Sequence, residues 1–104
     1  MHYVVLGEHS AEVCPTGNAE TKALMLEIGP QIPKIAEQNN VTIVAGPLVN
    51  HEHLTVVIVE TDRPENLDTF ISQSRLNQWN RVRIIPSRTM AEGMKEIAEG
   101  TSLF

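Results

Sequence analysis

The imidazole and thiol side chains of this chain fall mainly in two short segments, and groups of this kind bind transition metals. His9 comes just before a polar loop that carries Cys14, the only cysteine, and His51 and His53 stand two residues apart. Glu8 adds a carboxylate next to His9. Imidazole, thiolate and carboxylate are the usual protein ligands of zinc, nickel and copper, so these five residues are candidate metal ligands.

The spacing of His51 and His53 suits a two-ligand arm, because alternate side chains of an extended chain point to the same side. The sequence also allows a simpler interpretation, in which a polar hairpin tip carries two exposed histidines without a partner. No strong motif such as a pair of Cys-x-x-Cys segments decides between the two. The fourth histidine, His2, is expected at the far end of the first strand.

Trp79 and Asn80 form a second group of candidates, for contact with a bound cofactor or organic ligand. Trp79 is the only tryptophan, and such a residue most often anchors a core or an interface. Cys14 is also considered as a nucleophile, since a helix is predicted to begin close by. A small buried thiol is the more common role.

Four segments have the pattern of β-strands, because they are rich in β-branched and aromatic residues and are bounded by turn-forming residues. They cover residues 2–8, 41–49, 53–60 and 80–85. The third is apolar on both faces, which predicts an interior strand. Pro86 is expected to stop the fourth.

Apolar residues at helical spacing predict three helical segments. The first begins at Asn18, and its prolines predict a kink or two short helices. The other two begin with the pattern of a capping box, Asp62 with Glu65 and Thr89 with Glu92. The last helix carries an apolar stripe that consists of Met90, Ala91, Met94, Ile97 and Ala98.

The order strand, helix, strand, strand, helix, strand predicts a ferredoxin-like α+β fold with an extra C-terminal helix, in one domain that spans residues 1–104. In this fold the first strand lies between the third and the fourth and runs antiparallel to both. The end of the first strand then meets the beginnings of its neighbours. The residues expected at this end are Glu8, His9, His51, His53, Trp79 and Asn80, and the loop with Cys14 leaves from it.

Both crossover helices should pack on one face of the sheet, which leaves the other face apolar and bare. A second copy of the chain is expected to cover that face, as a homodimer or a higher oligomer. The alternative is that the last helix folds over it, but a helix of about 12 residues spans too little of a sheet.

Composition excludes some partners. The net charge of −5 argues against binding to nucleic acid or to an anionic membrane surface. A single cysteine and an N-terminus without a basic leader or a long apolar run favour the cytoplasm.

The chain resembles the dimeric α/β-barrel superfamily, in particular its small bacterial members of unassigned function. The resemblance covers nearly the whole chain and rests on the strand HYVVLGE, the hairpin TIVAGPLVNHEHLTVVIVE, Trp79-Asn80 before the last strand, and the IIPS turn into a final helix. That superfamily includes cofactor-free monooxygenases, haem-degrading enzymes, metal-binding proteins, muconolactone-type isomerases and stress proteins. In its cofactor-free monooxygenases a tryptophan, an asparagine and a histidine line the pocket, and Trp79, Asn80 and His53 supply those residue types.

Three functions therefore stay open. The first is a cytoplasmic homodimer that binds nickel, copper or zinc through His9, His51 and His53, with Cys14 or Glu8 assisting. The second is an enzyme without a cofactor, a monooxygenase or isomerase that acts on a small organic substrate in the barrel cavity. The third is a stress or partner-binding protein without a site. Whether the protein is an enzyme is left undecided.

Overall fold

The structure is a computed structural model that describes residues 1–104, an α+β domain with a four-stranded antiparallel sheet. The strands are β1 (His2–Glu8), β2 (Thr42–Leu48), β3 (Leu54–Glu60) and β4 (Arg81–Ser87). Their order across the sheet is β2-β3-β1-β4. β1 lies between β3 and β4 and runs antiparallel to both. The end of β1 therefore meets the beginnings of β3 and β4, as expected from the sequence.

The first helical segment is divided in the way that its prolines predict. α1 is Ala19–Ile28, a 3-10 turn follows at Gly29–Gln31, and α2 is Ile32–Gln38. Asn18 caps α1, because its Oδ1 accepts a hydrogen bond of 3.0 Å from the backbone N–H three residues on. Pro33 lies in the first turn of α2, where its missing backbone donor costs no helical hydrogen bond.

The next helix begins at a different residue from the one predicted. α3 is Pro64–Gln73 with Arg63 at its N-cap, so the prediction of Asp62 as the N-cap is wrong. Pro64 sets the start, because its fixed φ and missing donor suit the first helical position. Glu65 contacts the Arg63 side chain at 3.3 Å instead of completing a capping box. The buried face is the predicted one and consists of Leu67, Phe70, Ile71 and Ser74.

The connection into the last strand contains a short helix that the sequence pattern does not indicate. α4 is Leu76–Trp79, and Asn80 is its C-cap residue. The prediction that Pro86 stops β4 is wrong, since the strand continues to Ser87 with Pro86 opposite Tyr3. β4 is an edge strand, and an edge strand tolerates a residue without a backbone donor.

The hydrophobic core lies between one face of the sheet and the helices α1 to α4. On the sheet side it is formed by alternate residues of β1 and β3, Tyr3, Val5, Val57 and Val59. The residues packed against them are Ile28, Ile32, Ala36, Val41, Leu67, Phe70, Ile71, Leu76 and Trp79. One layer of helices on one face of a sheet is a common two-layer architecture, and it leaves the second face of the sheet open.

The open face carries the other alternate residues of the two interior strands. These residues are only half-buried, and they include Val4, Leu6, Leu54, Val56 and Ile58. No element of the chain packs over them. Within a single chain, β3 is therefore interior to the sheet but buried on one face only.

The last helix, α5 (Met90–Glu99), begins with the predicted capping box of Thr89 and Glu92. None of its residues is buried, and its apolar stripe is exposed at Met90, Met94 and Ile97. The radius of gyration is 16.0 Å, against about 13 Å for a compact domain of this length. α5 therefore extends away from the domain. Every helix here is too short or too polar to cross a lipid bilayer.

Candidate metal centre

Three donor side chains meet where β1 ends and β3 begins. His9 follows β1 directly, and its backbone N–H donates a hydrogen bond of 3.2 Å to the carbonyl of His53. One nitrogen of His9, one nitrogen of His53 and the sulfur of Cys14 all lie within 4.8 Å of one another. Three of the five residues considered as ligands are thus close together, although His53 is far from His9 and Cys14 in the sequence.

The turn before β3 places the His53 ring. Asn50 organises this turn, because its Oδ1 accepts hydrogen bonds from the backbone N–H groups of Glu52 at 3.1 Å and Leu54 at 3.2 Å. His53 itself has a φ of +58°, in the left-handed region. Residues 51–53 are consequently not extended, so the alternation of an extended chain does not apply to His51 and His53, although both line the same pocket. His51 is exposed and lies outside the group of three donors.

The loop after β1 places the Cys14 thiol through its own backbone hydrogen bonds. The Cys14 N–H donates to the carbonyl of Ala11 at 3.4 Å, and the Cys14 carbonyl accepts from Gly17 at 3.0 Å and Asn18 at 2.9 Å. The sulfur lies 3.1 Å from Oγ1 of Thr16. Cys14 is buried, with 8% of its surface exposed. The thiol is therefore held in place by a structured loop.

Helix α4 and the residue after it orient the His9 ring. Nδ1 of His9 lies 2.8 Å from Oδ1 of Asn80, and the ring centre lies 4.8 Å from that of Trp79. Asn80 in turn donates a hydrogen bond of 3.1 Å from its Nδ2 to the carbonyl of Leu76. Gly7 makes room for this amide, since a side chain there would collide with Asn80. Trp79 and Asn80 thus contact a candidate ligand, and neither supplies a donor atom to the group of three.

Three buried polar atoms at this end of the domain have no hydrogen-bond partner. They are Nδ1 of His53, Nε1 of Trp79 and Oγ1 of Thr55. An unsatisfied buried donor or acceptor costs about 1–3 kcal/mol, and native proteins contain few of them. Their concentration at one end of the sheet indicates a place where a bound ligand, ion or water supplies the missing partners.

An open pocket of about 650 Å³ lies over the three donors. The residues that line it are His9, Cys14, Pro15, Thr16, Val49, Asn50, His51, His53 and Trp79. None of them is an Asp, Glu, Lys or Arg. The pocket has the size of sites that hold small organic molecules.

Glu8, a candidate ligand, and His2, the fourth histidine, are placed elsewhere. Glu8 is exposed, and the alternation along β1 puts its side chain on the open face with Leu6, on the other side of the sheet from Gly7. His2 lies at the opposite end of β1, as expected, with Nε2 3.7 Å from a carboxylate oxygen of Glu60. Neither belongs to the group of three donors.

Gly7 and the Leu76 carbonyl take part in the site, and the sequence analysis points to neither. Gly7 carries the one usable signal, because a glycine inside a strand often marks a close approach of another group. No protein-family model matches the chain, and no curated protein matches it either. Function is therefore inferred from the donor cluster and the pocket.

Proposed function

We propose that this protein binds a divalent transition metal through His9, Cys14 and His53. The observation that carries the proposal is that one nitrogen or sulfur atom from each of these residues lies within 4.8 Å of the other two. Two imidazoles and a thiolate suit zinc, nickel and copper better than they suit magnesium or calcium, which prefer oxygen ligands.

The distances between the donors are close to those of a metal site. Around one zinc ion, with bonds of about 2.0–2.3 Å, tetrahedral donors lie about 3.3–3.8 Å apart. The donors here lie within 4.8 Å of one another, so any two of them need to approach by about 1.5 Å at most to reach that range. Cys14 lies in a loop and His53 in a turn, so rotation of their side chains supplies this movement without disturbing the sheet.

The unpartnered Nδ1 of His53 also supports the proposal. This buried atom has no hydrogen-bond partner within the chain, and a bound ion would give it one. His9 has the complementary feature, because one of its ring nitrogens is already held by Asn80 and the other is left for an ion. A hydrogen bond of this kind behind a histidine ligand is common in metal sites.

Three protein ligands leave a fourth position for water or a small molecule, which is the arrangement of catalytic zinc sites. That position would face the pocket. His51 lines the same pocket and is the available fourth protein ligand, whereas Glu8 is left out because its side chain lies on the other face of the sheet. The candidate ions are nickel, copper and zinc.

The experiment is a titration of tag-free protein with each of these ions, with the metal content measured after purification. The variant is His53→Asn, since asparagine accepts a left-handed φ better than most residues and has no imidazole. The control is His2→Asn, at the far end of β1. We expect one ion per chain in the wild type and in His2→Asn, and loss of binding in His53→Asn. Equal affinity in all three proteins would overturn the proposal.

A second candidate function is an enzyme without a cofactor that acts on a small organic substrate. The size of the pocket favours it, and so do the adjacent His9, Trp79 and Asn80 side chains. This candidate requires that metal-free protein bind an uncharged organic compound, since no charged side chain lines the pocket. Fluorescence of Trp79 reports such binding, and metal-free protein that binds no compound from a broad panel would exclude it.

We further propose the ferredoxin-like fold of a dimeric α/β barrel, in which a second copy covers the open face of the sheet. Two observations support this assembly. Apolar residues such as Leu6, Val56 and Ile58 remain half-buried, and no helix covers them. α5 extends from the domain with exposed apolar residues, which are available to the second copy.

A further inference from the structure

We propose that Asn80 is a positioning residue that fixes the tautomer of His9. It holds neutral His9 with its proton on Nδ1, so that Nε2 is presented unprotonated to the ion. This inference rests on the proposed metal site, but the tautomer itself is a property of the metal-free protein and is measured without any ion.

The orientation of the Asn80 amide is determined by Leu76. Nδ2 of Asn80 lies 3.1 Å from the Leu76 carbonyl oxygen, which also accepts the backbone N–H of Asn80 at 3.0 Å. A carbonyl oxygen only accepts hydrogen bonds, so the NH₂ group of the amide must face it. The amide oxygen therefore faces His9, and rotation of the amide by half a turn would place two oxygens against each other.

The orientation of the amide decides which nitrogen of His9 carries the proton. Oδ1 of Asn80 can only accept, and it lies 2.8 Å from Nδ1 of His9. Nδ1 must then be the donor. A neutral imidazole has one N–H, so Nε2 keeps its lone pair. A metal ion binds the unprotonated nitrogen of a neutral imidazole, and this is the state that Asn80 selects.

The Asn80 side chain is held firmly enough to select one tautomer of His9. It is buried, with 8% of its surface exposed, and it follows the last residue of α4. Gly7 lies against the Asn80 side chain, and any other residue at position 7 would place a Cβ atom in the space that this side chain occupies. The His9 ring is limited further by Trp79, at 4.8 Å between ring centres, and by the backbone hydrogen bond to His53.

The first measurement is the tautomer of His9 in metal-free, ¹⁵N-labelled protein at an alkaline pH where imidazole is neutral. Long-range ¹H–¹⁵N correlation spectra distinguish the two ring nitrogens. We expect Nδ1–H at His9 in the wild type and in the control His2→Asn, and loss of this preference in Asn80→Leu. Nε2–H at His9 in the wild type would overturn the inference without any variant.

The second measurement is zinc affinity, by competition with a chromophoric chelator. Outer-shell partners of this kind change metal affinity about 10–100-fold, and we expect a loss of that size in Asn80→Leu and none in the control His2→Asn. Zinc binding that is equal in the wild type and Asn80→Leu, with an unchanged tautomer, overturns the inference. If the wild type shows Nδ1–H but binds no zinc, nickel or copper, the metal function fails while the tautomer assignment is supported.

Discussion

Gly7 and Asn80 fit against each other so closely that any larger side chain at position 7 must displace Asn80. A Cβ atom on Gly7 would lie 2.9 Å from both Cγ and Oδ1 of Asn80, a separation that real Cβ atoms essentially never show. The same Oδ1 holds the ring of His9. A glycine near the end of β1 is therefore linked, through one amide, to a candidate metal ligand.

Gly7→Ala should consequently affect both stability and metal binding. The extra methyl group forces Asn80 away from β1, and overpacking of this kind typically costs about 1–3 kcal/mol. Denaturant unfolding of metal-free protein measures the loss of stability, and a titration measures the loss of affinity. Gly29→Ala is the control, because nothing lies within 4 Å of a Cβ there and the residue has a helical conformation. Equal stability of the wild type and Gly7→Ala would contradict the prediction.

Cys14→Ser should weaken metal binding and leave the fold intact. Serine keeps the size of the side chain and a hydrogen bond to Thr16, but it replaces a soft thiolate with a poor oxygen donor. We expect a loss of at least about 100-fold, since loss of an outer-shell partner alone costs about 10–100-fold. In the nickel or copper protein, the thiolate-to-metal absorption band should disappear. Thr16→Val should keep the band, and its absence from the wild type would show that Cys14 is not a ligand.

The fluorescence of Trp79 should report occupancy of the site. Trp79 is the only tryptophan, and its ring centre lies 4.8 Å from that of His9. Copper bound at His9 should quench its emission because an open-shell ion close to an excited indole removes the excitation energy. Zinc has a filled d shell and should not quench. Protein saturated with zinc should need more copper for the same effect, and quenching that is independent of zinc would place copper elsewhere.

Val56→Arg should convert a dimer into a monomer if a second copy covers the open face. Val56 is half-buried beside Leu6 on that face, and a guanidinium at this position cannot be desolvated against an apolar partner without a large cost. Sedimentation equilibrium measures the molecular mass. The control is Leu26→Arg, on the exposed side of α1, which should keep the wild-type mass. A monomeric wild type would contradict the proposed assembly.

The start of α5 should depend on pH through Glu92. The backbone N–H of Thr89, and secondarily its hydroxyl, donate to the carboxylate and hold the pKa of Glu92 below its ordinary value of 4.5. Because the folded-state pKa is lowered, the stabilisation is fully present above pH 4.5 and is lost as the pH falls through the folded pKa.

Amide exchange of the first turn of α5 measures this effect residue by residue. At neutral pH, the amides of this turn should be better protected from exchange in the wild type than in Glu92→Gln. In acid, the two proteins should show the same protection. Glutamine is the suitable control because it keeps an acceptor and removes only the charge. A difference between the two proteins that does not change with pH would contradict the role assigned to the carboxylate.

Local features of the fold follow from residue types and short spacings. The alternation in β1, the prolines after α1 and the capping box of Thr89 each depend on neighbours within a few positions, so sequence patterns predict them. Where a short sequence is compatible with two element boundaries, the pattern does not predict the correct one. Asp62 is a good capping residue, but Pro64 moves the start of α3 to Arg63. Pro86 does not end β4 because that strand lies at the edge of the sheet.

The sequence predicts only part of the candidate site. The residue types and the expected strand order place His9, Cys14 and His53 at one end of the sheet, but they treat His51 and Glu8 as equivalent candidates. Tertiary structure decides which donors meet. Residues 51–53 form a turn that leaves His51 outside the group of three donors, and the hydrogen bond between His9 and Asn80 joins residues 71 positions apart. Distances of this kind depend on strand register and loop closure, which no short stretch of sequence specifies.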